Sequence, residues 1–109
     1  MLKEVIFRMV ELNSLYKNVM EFDLKLRNDN TFDEKLYTDI YQQFETLFKQ
    51  WETQDFIPKS AFISCVYMVD ILAGGNRFWS NEIRTRVEDA LIAMQELITN
   101  IDNHPPYPK

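Results

Sequence analysis

Catalysis by side chains needs a nucleophile, an acid and a base in one place, and this sequence holds one histidine, His104, and one cysteine, Cys65. His104 stands in the segment Asn103-His104-Pro105-Pro106-Tyr107-Pro108-Lys109, and Cys65 in the apolar run from Ala61 to Ala73. A Cys–His pair would require the tail to fold back across that run, and a cysteine among apolar neighbours is ordinarily an inert packing residue. Zinc wants more thiolate and imidazole ligands than these, and a di-iron bundle wants Glu-x-x-His pairs, which do not occur. Gly-x-Gly-x-x-Gly and phosphate-loop patterns are missing as well. The expectation is a chain with no catalytic residues, metal or cofactor, whose work is binding.

Two groups of residues could carry that binding. Between residues 31 and 57, Asp33, Glu34, Asp39, Glu45, Glu52 and Asp55 stand against Lys35 and Lys49, six acids to two bases, a balance of -4 out of a chain total of -5. Residues 1 to 30 balance to zero. Such a block is either a solvated helix face or a surface that steers and holds a basic protein. The second group is Asn76-Arg77-Phe78-Trp79-Ser80, where Arg77, Phe78 and Trp79 put an arginine and two large aromatics into a short connection. Arginine and tryptophan are enriched among interface hot spots because they join large contact area to directed polar groups. The structural alternative has Phe78 and Trp79 closing the end of a bundle while Arg77 caps the carbonyls of the preceding helix.

Single acids outside these groups read more simply. Asp70 interrupts the most apolar segment, where an unpaired buried carboxylate would be costly, so it should pair with Arg77, Arg84 or a tyrosine hydroxyl, or else lie exposed at an edge. Glu88, Asp89 and Glu96 flank an apolar stripe and read as a solvated face.

Helices must position all of these. The two glycines and four prolines leave long stretches free of breakers, with the prolines confined to Pro58 and the tail. In the first segment Leu2, Val5, Met9, Leu12, Tyr16 and Val19 follow one another at three or four residues and form a single stripe. Ile6, Val10, Leu15 and Met20 widen it, so this helix should touch more than one neighbour. Arg27-Asn28-Asp29-Asn30 breaks the pattern, and Thr31 with Glu34 predicts a capping box opening the second helix. Its stripe is Tyr37, Ile40, Phe44, Leu47 and Trp51, supported by Leu36, Tyr41 and Phe48, and it fades at Thr53-Gln54-Asp55. Pro58 or Ser60 starts a third, short, very apolar helix, in which Phe62, Val66, Val69 and Ala73 share a face beside Ile63, Tyr67, Ile71 and Leu72. That helix is expected at the centre of the core.

Gly74-Gly75 should end it, since a helix C-terminus favours a residue tolerant of positive φ. Ser80 as N-cap and Glu82 in the first turn open a fourth helix with the stripe Ile83, Val87, Ala90, Met94, Leu97 and Ile101. The fold class is therefore all-α, an antiparallel four-helix bundle or a compact multi-helix bundle. One domain spans residues 1 to 102, and residues 103 to 109 form an extended, proline-rich tail.

Composition bounds the rest. A hydrophobic fraction of 46% with 27% charged residues is that of a globular chain, and the acidic balance offers little to a phosphate backbone, which argues against nucleic acid. No secretory signal is read in Met1 to Arg8, where charges fall on helical spacing. The longest apolar stretch is much shorter than the roughly 20 residues of a membrane span. A lone cysteine cannot form an internal disulfide, which suits a reducing cytoplasm.

The run Leu72-Ala73-Gly74-Gly75-Asn76-Arg77-Phe78-Trp79-Ser80, preceded by the Phe62 to Ile71 helix and followed by an amphipathic one, resembles what is seen in some small bacterial immunity proteins. These all-helical proteins protect a cell against its own toxin in contact-dependent growth inhibition and related polymorphic toxin systems. The resemblance covers the last half of the chain. It implies a cytoplasmic protein that binds a toxin domain, often a basic nuclease, and blocks its active site or substrate surface. The alternative is an adaptor or regulatory bundle that binds a partner helix or self-associates through exposed aromatics.

Overall fold

A computed structural model describes residues 2–52 and 57–102, with side chains over 12–52 and 57–99. It contains α1 (Leu2–Asn28), α2 (Glu34–Trp51), α3 (Lys59–Gly74) and α4 (Asn81–Asp102), and no strand among the described residues. The His104 segment, Asp55 and the side chain of Ile101 lie outside the described residues. No helix of the described residues is long and apolar enough to cross a membrane.

The helices pack as a ring in which α1 touches α2 and α3, and α4 touches the same two. Consecutive helices alternate in direction. The parallel neighbours are α1 with α3, where Tyr16 meets Tyr67 and the last turn of α1 meets Trp79, and α2 with α4, where Glu34 meets Arg86 and Tyr37 meets Ala90. Buried side chains from all four helices form one core, and no buried side-chain nitrogen or oxygen among the described residues lacks a hydrogen-bond partner.

Helix α2 buries Tyr37, Ile40, Phe44, Leu47, Phe48 and Trp51, as its spacing predicts. On α1 the stripe is Leu15, Val19, Phe22 and Leu26, continued by the half-buried Leu12. Tyr16, expected within it, is exposed and turned toward Tyr67 instead. Both registers have three- and four-residue steps; the one chosen carries Phe22 and Leu26 inward and places Phe22 edge-on to Phe32, 5.2 Å between ring centroids.

Helix α3 departs furthest from expectation. It buries Ala61, Ser64, Met68 and Leu72, and leaves Phe62, Val66 and Ala73 in solvent with Val69 half-buried. It is therefore not the centre of the core. Its sequence is apolar nearly all round, so periodicity selects no face, and the small side chains Ala61 and Ser64 let it approach α1 and α4 more closely than a Phe62 face would. The Ser64 hydroxyl donates to the Ser60 carbonyl one turn back at 3.0 Å, so its burial leaves no polar group orphaned.

The ends follow local chemistry. Asn30, at φ 50°, takes the left-handed position after α1, and the Thr31 N–H closes back onto the Lys25 carbonyl at 3.1 Å, which is how a helix finishes without glycine. The N-cap of α2 is Asp33, whose carboxylate accepts from the Leu36 N–H at 3.0 Å. The expected Thr31–Glu34 capping box does not form: the Thr31 hydroxyl donates to the Asp29 carbonyl, and Glu34 turns toward α4. Gly75 ends α3 at φ 71°, and the Ser80 hydroxyl accepts from the Ile83 N–H at the start of α4, both as the sequence indicates.

Candidate functional site

The bundle end where α1 finishes and α2 and α4 begin is held by polar contacts to which the acidic block contributes. Asp33 caps α2 and also meets Lys25 Nζ at 2.7 Å. The hydrogen bond from Lys25, followed by that from the Leu36 N–H, holds the Asp33 carboxyl below the usual carboxylate range, and the same bond raises Lys25. Glu34 receives both arms of Arg86, Nε at 2.6 Å and Nη2 at 2.9 Å. The Arg86 guanidinium also lies over the rings of Phe32 and Tyr37, at 4.6 Å and 4.9 Å from their centroids. Its pKa is raised by the Glu34 bond first, and Asp89 adds to it. Tyr37 spans the same junction, donating to the Ala90 carbonyl at 3.4 Å, and burial pushes its phenol upward.

The remaining acids of the block do not share one surface. Asp39 lines a polar groove of ≈ 390 Å³ between α1 and α2, with Leu15, Asn18, Gln42, Gln43, Thr46 and Leu47. The Asn18 amide donates to Gln43 across it at 3.0 Å. Glu45 and Glu52 are exposed and follow Glu34 by eleven and eighteen residues, which at 100° per residue puts all three on one line along the α4 side of α2. Asp55 lies outside the described residues.

A second acidic row runs along α4; it joins Glu82, expected in the first turn of that helix, to Asp89 and Glu96, expected on a solvated face. Glu82, Asp89 and Glu96 are all exposed and recur every seven residues on α4, within a quarter turn of the Arg86 edge that meets α2. One shallow depression is lined by Glu34, Glu82 and Arg86 together, and another by Glu82, Arg86 and Asp89. The seven-residue repeat is legible in the sequence; that α4 adjoins α2 is not. Glu34, Glu82 and Asp89 thus surround Arg86 at the start of the α2–α4 junction, with Arg86 already bonded to Glu34.

The Arg77-Phe78-Trp79 segment divides. Trp79 is 8% exposed and donates its indole N–H to the Leu26 carbonyl at 3.2 Å, so it closes the core and does not offer a surface to a partner. Phe78 is 69% exposed, with the Arg77 guanidinium 4.9 Å from its ring centroid. Arg77 does not cap α3; its own carbonyl accepts from Arg84 at 3.1 Å. Asp70 is exposed on the outer side of α3. Burial pushes the Cys65 thiol up to about 11, and among the described residues no cluster of His, Cys, Asp and Glu is arranged to hold a metal ion. Comparison with protein-family models, curated proteins and solved structures finds no significant match to this chain.

Proposed function

We propose that this chain is a non-catalytic protein-binding bundle of the immunity-protein kind, which neutralises a basic toxin domain of nuclease type. The observation that carries the reading is the group of carboxylates at the start of the α2–α4 junction, where Glu34, Glu82 and Asp89 surround Arg86, with the exposed Glu45 and Glu52 further along α2 and Glu96 further along α4. Carboxylates gathered around one junction raise the local potential and steer a basic surface toward it. Phe78, exposed beside Arg77, would add contact area at the same end of the bundle.

The test begins with the neighbouring genes: a basic, nuclease-type toxin domain encoded there is expected, and its association with this chain is then measured by stopped flow across salt concentrations. Glu45→Lys combined with Glu96→Lys should lower the association rate about tenfold at low ionic strength, with the difference shrinking as salt screens it. Asp39→Lys, on the α1 side of α2, serves as the control and should change little. No binding, or binding indifferent to the double reversal, overturns the reading.

A second reading has its own observation. Helix α3 leaves Phe62 59% and Val66 48% exposed, with Tyr67 also in solvent, a surface suited to an adaptor that docks a helix or associates with itself.

A further inference from the structure

We infer that the outer ridge of α3 is a twofold interface between two copies of this chain. The inference rests on the second reading above and is independent of any basic partner, which would meet the α2–α4 junction.

The ridge is almost palindromic. On a wheel of 100° per residue, Lys59 and Asp70 fall on the midline of the exposed face, Ile63 and Val66 sit to either side of it, and Phe62 and Tyr67 form the two flanks. Phe62, Val66, Tyr67, Lys59 and Asp70 are exposed and Ile63 is half-buried. Lys59 and Asp70 are the only charged residues of α3, opposite in sign and eleven residues apart. If a second α3 is laid antiparallel with the axis level with Ser64 and Cys65, Lys59 of each copy meets Asp70 of the other. The same register sets Ile63 against Val66, both ways round, as an isologous contact demands, and brings the two copies of Phe62 together on one flank and the two copies of Tyr67 together on the other. Tyr16 of α1, whose ring centroid is 6.2 Å from that of Tyr67, widens the apolar margin.

Charge also selects this face for self-contact. Two copies of a chain carrying -5 repel one another, and most where carboxylates line the surface, whereas α3 is net neutral. A heterologous basic partner gains nothing from a neutral ridge; a second copy is the occupant whose charges complement it residue by residue. A single helix face lies at the small end of stable interfaces, so the dimer should dissociate on dilution.

Sedimentation velocity on the full chain over a concentration series is the first measurement, with circular dichroism to verify the fold of each variant. The wild-type chain should show a monomer–dimer equilibrium, and Val66→Lys, at an exposed position, should leave only monomer. Lys59→Asp and Asp70→Lys should each raise the dissociation constant about tenfold, since each sets like charges opposite one another twice. Mixed together, those two variants should associate again, because every opposed pair is then of opposite sign. A wild-type chain that stays monomeric overturns the proposal, as does a dimer indifferent to Val66→Lys or a pair of charge variants that fails to recombine.

Discussion

The indole of Trp79 and the carbonyl of Leu26 lie 53 positions apart in sequence and 3.2 Å apart in space, joining the α3–α4 connection to the last turn of α1. Carbonyls of a final helical turn have no helical N–H left to accept from, and Trp79 supplies one while its ring fills the end of the core. The bond and the ring can be separated. Trp79→Phe should cost about 1–2 kcal/mol through the unpaired carbonyl and lost area, and Trp79→Ala about 3–5 kcal/mol, both read by urea denaturation. Equal losses in the two variants would mean that the indole N–H carries the whole effect.

Arg86 ties α4 to α2 through a two-armed bond to Glu34 and through the rings of Phe32 and Tyr37. Because the pair is partly solvated, the stacking should matter as much as the charge. Arg86→Ala is expected to cost about 1–2 kcal/mol of unfolding free energy, and Glu34→Gln about 0.5 kcal/mol. Arg86→Lys should recover less than half of the loss, since an ammonium reproduces neither the fork nor the flat face. Full recovery by lysine would reduce the contact to a simple ion pair.

Asp33 gives a pH dependence whose sign is fixed by its lowered carboxyl pKa. Its stabilisation is present above the unfolded carboxylate pKa of about 3.9 and is lost as pH falls through the lower folded value. Asp33→Asn keeps a capping side chain but removes the charge that meets Lys25. The stability gap between wild type and Asp33→Asn should therefore be constant near neutrality and close below about pH 4. Asp33→Ala, which loses the cap as well, should cost about 1 kcal/mol at neutral pH. A gap between wild type and Asp33→Asn that persists in acid would exclude the ion pair as its source.

Burial that lifts the Cys65 thiol to about 11, against 9.0 for a free thiol, leaves very little thiolate at neutral pH. Reaction of the folded chain with Ellman's reagent should be about 100-fold slower than reaction of the chain in denaturant. Cys65→Ser combined with His104→Ala should leave partner binding intact. Loss of binding by a well-folded double variant would point to a function for the pair beyond packing.

The sequence by itself determined four helices, the buried face of α2 and the termini at Gly75 and Ser80, because each is set by interactions within a few residues. The stripe from Tyr37 to Trp51 has one polar side and one apolar side, so only one burial satisfies it. In α3 both sides are apolar, and the choice of Ala61, Ser64, Met68 and Leu72 over the Phe62 face was made by how closely α1 and α4 could approach. Asp33 displaced Thr31 as N-cap through its own bonds to Leu36 and Lys25, while Glu34 was drawn away by Arg86, fifty-two positions on. The acidic row Glu82, Asp89 and Glu96 is written in the sequence at seven-residue spacing, but that Glu82 shares a depression with Glu34 and Arg86 is decided only once α2 and α4 lie side by side. Helical periodicity fixes which residues share a face; which faces meet depends on side-chain volume and on bonds between distant residues, and only the packed tertiary structure decides that.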